Sequence, residues 1–345
     1  MHPIVTGVAL GIAAAAGAAA GTYAERTLMS HYFDDTESDQ DFGVLRGAPH
    51  RVTAADGTVL YAEVDEPDDP TRGDVTIVFS HGYSLNLDTW HYQRQALRGH
   101  ARLVFWDQRS HGRSGPGPRG SHTIDQLGPD LLRVIEELAP TGVLMLVGHS
   151  MGGMTVMSLA AEHPELFGQR VRGVALIATS AGHLSDVTLR LPPAAARLFQ
   201  QNTERVAALL EASSAGIDRN RTRTTDLNLL LTKRYSFGPQ QVSREHTRFV
   251  ADLLGSTPID VVAQFLPAFS RHDKESALDA LERTKVVVMV GDADALTPES
   301  HSQEIVDHIP GATLIILPDS GHMIISERYA TVNRRLMQLL NEIRP

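Results

Sequence analysis

The chain has 345 residues, of which 42% are hydrophobic, and a formal net charge of −10. Its length and apolar content allow a sizeable core and exclude a disordered chain, while the acidic balance, with no Lys/Arg-rich stripe, argues against nucleic acid as the main partner. The absence of cysteine excludes a disulfide scaffold, a thiol nucleophile, an iron–sulfur cluster and a Cys-ligated zinc site.

Residues 1–42 read as a separate object. From Pro3 to Ala24 there is no charged side chain, a length close to the roughly 20 residues of a membrane-spanning helix. The expectation is a membrane anchor or an export signal, with Ala18-Ala19-Ala20 supplying small residues suited to cleavage. That places the protein at the cell envelope, or in the cytoplasm if the stretch is only an Ala-rich helix. No Lys or Arg precedes the apolar run. The acidic residues Asp34, Asp35, Glu37, Asp39 and Asp41 read as a solvated linker, and the scarcity of positive charge on that flank, where Arg26 is the only nearby arginine, favours the outer side.

After about Val44, β-branched runs alternate with longer amphipathic stretches. The predicted strands are Arg51–Thr53, Val59–Val64, Val75–Ser80, Leu103–Trp106, Val143–Val147, Gly173–Ala178, Lys285–Val290 and Thr313–Leu317. The later runs are almost continuously apolar, as in a parallel sheet covered on both faces. The first two flank Ala55-Asp56-Gly57, a hairpin signal, so the sheet should open with an antiparallel pair. The predicted helices are Thr123–Leu138, Met151–His163, Pro298–His308 and Ser326–Glu342. This alternation predicts an α/β fold with a doubly wound, mostly parallel sheet.

Residues 183–273 contain no strand-like run. Leu189–Phe199, Arg205–Ala212, Arg244–Leu254 and Val261–Phe269 have helical spacing. The expected organisation is therefore a core of residues 43–182 and 274–345, with a helical insertion, 183–273, over the crevice at the strand ends. Arg219, Arg221 and Arg223 precede Leu227–Leu231 there. They read as a solvated loop before a core-facing helix, with contact to an anionic lipid surface or acidic substrate as the functional alternative.

The chemistry gathers at the ends of the predicted strands. Gly148-His149-Ser150-Met151-Gly152 joins an apolar strand to a helix, the context a Gly-x-Ser-x-Gly nucleophile elbow requires. The sharp turn excludes side chains at 148 and 152 and exposes the Ser150 hydroxyl. The Met151 N–H and the helix N-terminus favour negative charge at the same spot. Serine needs a base. His322, directly after the last strand, is the best placed; His301 and His308 read as surface histidines within a helix, and His149 as structural, pointing away along the turn. The acid that orients the base is Asp294 or Asp292, both in the loop after Lys285–Val290, and Asp294 reaches further over the strand ends. A second oxyanion donor is the N–H of Tyr83, after the His81-Gly82 turn.

Taken together, His81-Gly82, Asp107-Gln108-Arg109-Ser110-His111-Gly112-Arg113-Ser114, Gly148–Gly152, Gly291-Asp292-Ala293-Asp294 and Gly321-His322 resemble the α/β-hydrolase superfamily. The resemblance is to its serine esterase, lipase and haloperoxidase-like members, and it covers residues 47–345. It implies a helical cap, and its Gly-x-x-Asp spacing selects Asp294 over Asp292. Ser110 stands where the family pattern has a glycine, a departure that bears on that loop and not on the triad. The expected function is hydrolysis of carboxylic esters through an acyl-enzyme. Ser150 is the nucleophile, His322 the base, Asp294 the orienting acid, and the N–H groups of Tyr83 and Met151 form the oxyanion hole. The chemistry requires no metal or organic cofactor. An Ala/Leu/Phe-rich insertion favours a hydrophobic acyl substrate. Thioesterases, lactonases and C–C bond hydrolases use the same triad, and a non-catalytic ligand-binding protein can keep the scaffold. A serine at the elbow argues against dehalogenases and epoxide hydrolases, whose alkyl-ester intermediate needs a carboxylate there.

Overall fold

The computed structural model describes residues 33–34, 40–69, 73–184, 193–220 and 226–345. The apolar stretch 3–24, most of the acidic stretch 34–41, and Arg221 and Arg223 lie outside the described residues. Among those described, no single helix is long and apolar enough to cross a membrane.

In chain order the strands are β1 (Phe33–Asp34), β2 (Ala48–Thr53), β3 (Val59–Asp65), β4 (Val75–Ser80), β5 (Arg102–Trp106), β6 (Val143–His149), β7 (Val171–Ile177), β8 (Val242–Ser243), β9 (Lys285–Gly291) and β10 (Thr313–Leu317). Eight of them form one sheet in the order β10-β9-β7-β6-β4-β5-β3-β2. The β2–β3 hairpin and the β3–β5 pair are antiparallel, and every other pair in this sheet is parallel. The expectation of an antiparallel opening to a parallel sheet holds. From β4 the chain moves outward to β5, then returns to β6 on the other side. That reversal opens a crevice at the carboxyl ends of β4 and β6, where ligands of doubly wound sheets bind.

The helices are α1 (His91–Leu97), α2 (Ile124–Leu138), α3 (Met151–Glu162), α4 (Pro193–Gln201), α5 (Thr203–Asn220), α6 (Asp226–Ser236), α7 (Arg244–Ser256), α8 (Ile259–Ser270), α9 (Leu278–Leu281), α10 (Glu299–His308), α11 (Ile324–Glu327) and α12 (Tyr329–Ile343). Both faces of the sheet are covered. Leu144 and Leu146 of β6 pack with α2 and α3, whereas Met145 and Val147 pack with α1 and α12. Two-sided burial explains the unbroken apolar runs of these strands.

The structure departs from the expected elements in several places, among them the unpredicted helix α1. The helix expected over Ser326–Glu342 divides into α11 and α12 at Arg328, whose backbone leaves helical geometry. Its guanidinium then donates to Ser320 Oγ and to the Pro318 carbonyl, both at 2.8 Å. Within 183–273 a two-residue strand, β8, pairs in parallel with β1, a partner too distant in sequence for local pattern to reveal. The chain just after the acidic stretch is also anchored. The Phe42 ring stacks on Phe249 and His246 of α7, at 4.7 and 5.4 Å between centroids.

Arg109 ties the hairpin to the helical layer. Its fully buried guanidinium forms a bidentate pair with Asp130 of α2, at 2.6 and 2.7 Å, and also reaches Asp56 in the hairpin turn at 2.7 Å. Removing one partner of such a pair strands the other charge inside. Arg109→Met is therefore expected to lower unfolding stability by about 3–5 kcal/mol in urea titrations. Adding Asp130→Leu should restore most of that loss, because the uncompensated carboxylate is removed as well.

Candidate active site

The turn between β6 and α3 sets the geometry. Ser150 has φ 53° and ψ −120°, in the left-handed half of backbone space. A Cβ at Gly152 would lie 1.9 Å from the Ser80 carbonyl oxygen, and one at Gly148 would lie 2.4 Å from the Gly152 oxygen. Neither position accepts a side chain. Ser150 is the N-cap of α3 but makes no side-chain capping bond, so the helix does not claim its hydroxyl. Met151 is the first helical residue, and an N–H there has no partner within the helix. Neighbouring strands hold the turn from outside. The Ser150 N–H donates to the Ile177 carbonyl at 2.9 Å, and Thr179 Oγ1 donates to the Ser150 carbonyl at 2.7 Å.

His322 and Asp294 come together from the loops after β10 and β9. His322 Nδ1 lies 2.8 Å from Asp294 Oδ2, and both side chains are buried. The other Asp294 oxygen accepts the Leu296 and Thr297 N–H groups, at 2.8 and 3.0 Å. Burial pushes this carboxyl up. The His322 charge and hydrogen bond, with the Thr297 and Leu296 N–H groups, outweigh burial and hold it below the ordinary carboxylate range. Thr297 Oγ1 donates to Asp294 Oδ2 at 2.9 Å and lies 3.3 Å from His322 Nδ1. The sequence reading did not single out Thr297, although its place three residues after an aspartate is a capping signal. Asp292 is used differently: its Oδ1 accepts the Ser320 N–H at 3.3 Å within the loop.

Two histidines occupy unexpected places. His149 does not point away from the site. Its Nε2 lies 3.0 Å from the His322 carbonyl oxygen, and the two rings are 5.0 Å apart. Burial, then the charge of His322, bring His149 down to about 3, so it stays neutral and donates that bond. His301 is buried, with Nδ1 2.8 Å from Ser180 Oγ, whereas His308 is exposed as expected.

On the opposite side, the turn after β4 approaches Ser150. A Cβ at Gly82 would be 3.2 Å from Ser150 Cβ, which places the Tyr83 peptide beside the elbow. Two neutral histidines brace this turn against the loop after β5. The Gln108 N–H donates to His81 Nε2 at 2.9 Å, and the Ser84 N–H donates to His111 Nε2 at 3.1 Å. Their Nδ1 atoms face the Gly82 and Arg109 carbonyls, at 2.8 and 2.9 Å, which fixes one tautomer for each ring. Ser110 keeps φ at 64°, the conformation a glycine adopts most easily. Its hydroxyl bonds His122 Nε2 and the Gly117 N–H, both at 2.9 Å, so the loop retains its course without a glycine. Above the turn, the Tyr83 hydroxyl donates to the Val262 carbonyl of α8. Its ring meets Phe269 and Phe265 of the same helix edge-on.

Comparison with known proteins agrees with this architecture. A profile of the family described as alpha/beta hydrolase fold matches residues 75–329. The chain is 26% identical over 281 residues to the dihydrolipoyllysine-residue acetyltransferase component of the acetoin cleaving system of Pseudomonas putida. That alignment covers 79% of this chain and 65% of the relative, just under two thirds of its length. It is 25% identical over 269 residues to 3-oxoadipate enol-lactonase 2 of Acinetobacter baylyi, covering 78% of this chain and 88% of that one. An esterase structure from Thermogutta terrifontis superposes with a TM-score of 0.66 at 21% identity, over 86% of this chain and 99% of that chain, a likeness of fold.

The neutral histidines make stability depend on pH. Burial brings His111 from 6.5 down to about 4. As pH falls below 6.5 the unfolded chain takes up a proton that the folded chain refuses until about pH 4. Folding stability should therefore decline across that window as pH falls. Urea denaturation at several pH values should show a shallower decline for His111→Gln, which has no proton to gain.

Proposed function

The chain belongs to the alpha/beta hydrolase fold family, and from that premise we propose that it is a serine hydrolase of carboxylic esters. Residues 43–182 and 274–345 form the catalytic core and 183–273 its cap. The observation that carries this reading is the 2.8 Å bond between His322 Nδ1 and buried Asp294, with the His322 carbonyl tied to His149, the residue before a serine held in the left-handed region at a helix N-terminus. Ser150 Oγ attacks the acyl carbon while His322 takes its proton. Asp294 fixes the imidazole tautomer with Nδ1 as donor and stabilises the cation that forms. The Met151 and Tyr83 N–H groups receive the developing oxyanion, where the N-terminus of α3 adds a favourable dipole. His322 returns the proton to the leaving alcohol, then activates a water that releases the acid and restores Ser150. The aromatic surface of Tyr83, Phe265 and Phe269 supports an apolar acyl group.

Hydrolysis of p-nitrophenyl esters from acetate to palmitate by the full-length chain tests the reading. Ser150→Ala should lose turnover by ~10⁴-fold or more, the scale seen when a triad nucleophile is removed. A fluorophosphonate should label the wild type and not the variant. Folded wild-type protein that is neither labelled nor active on any ester would exclude this function, and full activity in Ser150→Ala would exclude this nucleophile.

A further inference from the structure

The helical insertion touches the histidine loop backbone to backbone. A Cβ at Gly238 would lie 2.5 Å from the Asp319 carbonyl oxygen, and one at Gly321 would lie 2.4 Å from the carbonyl carbon of Phe237. The Met323 N–H donates to the Ser236 carbonyl at 2.8 Å. Side chains span the seam as well: Gln240 receives Arg328 on Oε1 at 3.2 Å and donates to Asp319 Oδ2 at 3.4 Å. Glu327, at the end of α11, accepts the Gly238 N–H on Oε2 at 2.6 Å and the Gly321 N–H on Oε1 at 2.8 Å. On the insertion side, buried Lys233 of α6 donates to the Gly238 carbonyl. Gly321 directly precedes His322, whose own carbonyl faces His149 Nε2 at 3.0 Å. The N–H of Gly321, the residue before the imidazole, is thus held by Glu327, and the carbonyl of His322 itself by His149.

We propose that Glu327 is a positioning residue. Its carboxylate clamps the insertion to the N–H of Gly321, the residue before His322, so the imidazole keeps its reactive place only while the insertion is docked. A carboxylate suits this task because it accepts two N–H groups at once, one from each side of the seam. A residue serving α11 alone would have no reason to reach Gly238, which lies 89 positions away in sequence. The proposal rests on the serine-hydrolase reading and extends it from the reacting groups to what holds them.

Glu327→Gln tests it, since an amide keeps the shape but turns an NH2 group toward one of the two donors. The full-length chain is assayed for kcat and KM on p-nitrophenyl butyrate, for thermal unfolding, and for amide hydrogen exchange over 236–240 and 319–323. In Glu327→Gln, kcat should fall by ~10–100-fold, the scale of a small misplacement of a reacting group. KM should change little, the variant should stay folded at the assay temperature, and both segments should exchange faster together. Glu327→Asp, which retains the charge, should recover part of the loss. If Glu327→Gln does not fold, Lys233→Met loosens Gly238 from the other side and is read in the same way. Unchanged exchange, faster exchange in one segment alone, or full kcat overturns the clamp. Folded wild type that neither turns over esters nor labels at Ser150 instead overturns the serine-hydrolase reading, and with it the catalytic consequence, whatever the exchange shows.

Discussion

The close approach of β6, α3 and the end of β4 governs the rest of the site. Gly148 and Gly152 permit it, and Ser150 bears the conformational cost, of order 1–3 kcal/mol for a non-glycine residue held in a sparsely populated region. Such a turn persists only where its surroundings over-determine it. Here β6 lies between β4 and β7 at the centre of the sheet, and both faces of the strand are buried. The Ile177 carbonyl and the Thr179 hydroxyl secure the Ser150 peptide from the β7 side. On the β4 side the contact between position 152 and the Ser80 carbonyl sets how near the next turn can come. The same constraint therefore presents the hydroxyl and brings the Tyr83 peptide beside it.

Beside this turn, backbone N–H groups are received by rings kept neutral. His81 and His111 each receive an N–H on Nε2, a role that a doubly protonated imidazole cannot fill. Burial makes the neutral form the preferred one, so desolvation and hydrogen bonding favour the same state. Asp294 is the opposite case. Burial opposes its charge, yet donors converge on both oxygens and hold it ionised. Neutral rings beside Tyr83 and an ionised carboxylate behind His322 give this cluster a fixed electrostatic direction, which the proposed cation on His322 would use without rearrangement.

How much of this was legible in the sequence follows from the range of each interaction. The strands that became β4 to β7 were readable because burial on both faces leaves an apolar run, and the hairpin because Asp56-Gly57 specifies its turn. The placement of Ser150, Asp292, Asp294 and His322 just after strands was readable, because parallel strands bring their carboxyl ends together; the choice of Asp294 over Asp292 came from the family spacing. The links that depend on distant partners were not. His149 meets His322 across 173 positions, and its neighbours in sequence say nothing of that. The break at Arg328 comes from oxygens in the preceding loop, not from any weakness in the helical pattern. Thr297 carried a local signal, a hydroxyl three residues after an aspartate, but its contact with His322 arises only when β9 and β10 pair.

Among its contacts with the core, the insertion makes two beside the groups proposed to react. One is the Tyr83 hydroxyl on the Val262 carbonyl, next to the peptide proposed to bind the oxyanion. The other is the seam of Gly238, Gly321 and Glu327, next to His322. A helix proposed to meet the acyl group and also bonded to Tyr83 cannot shift to admit a bulkier group without disturbing that turn. A displacement of the α6–β8 turn is felt in the same way at the histidine loop. Packed interiors transmit such strain because they yield little. Under the proposed function, substrate size and the placement of the reacting groups are therefore not independent. A substitution on α8 that enlarges the pocket should preserve Tyr83 and its carbonyl partner if it is to change which ester is accepted without weakening the oxyanion side.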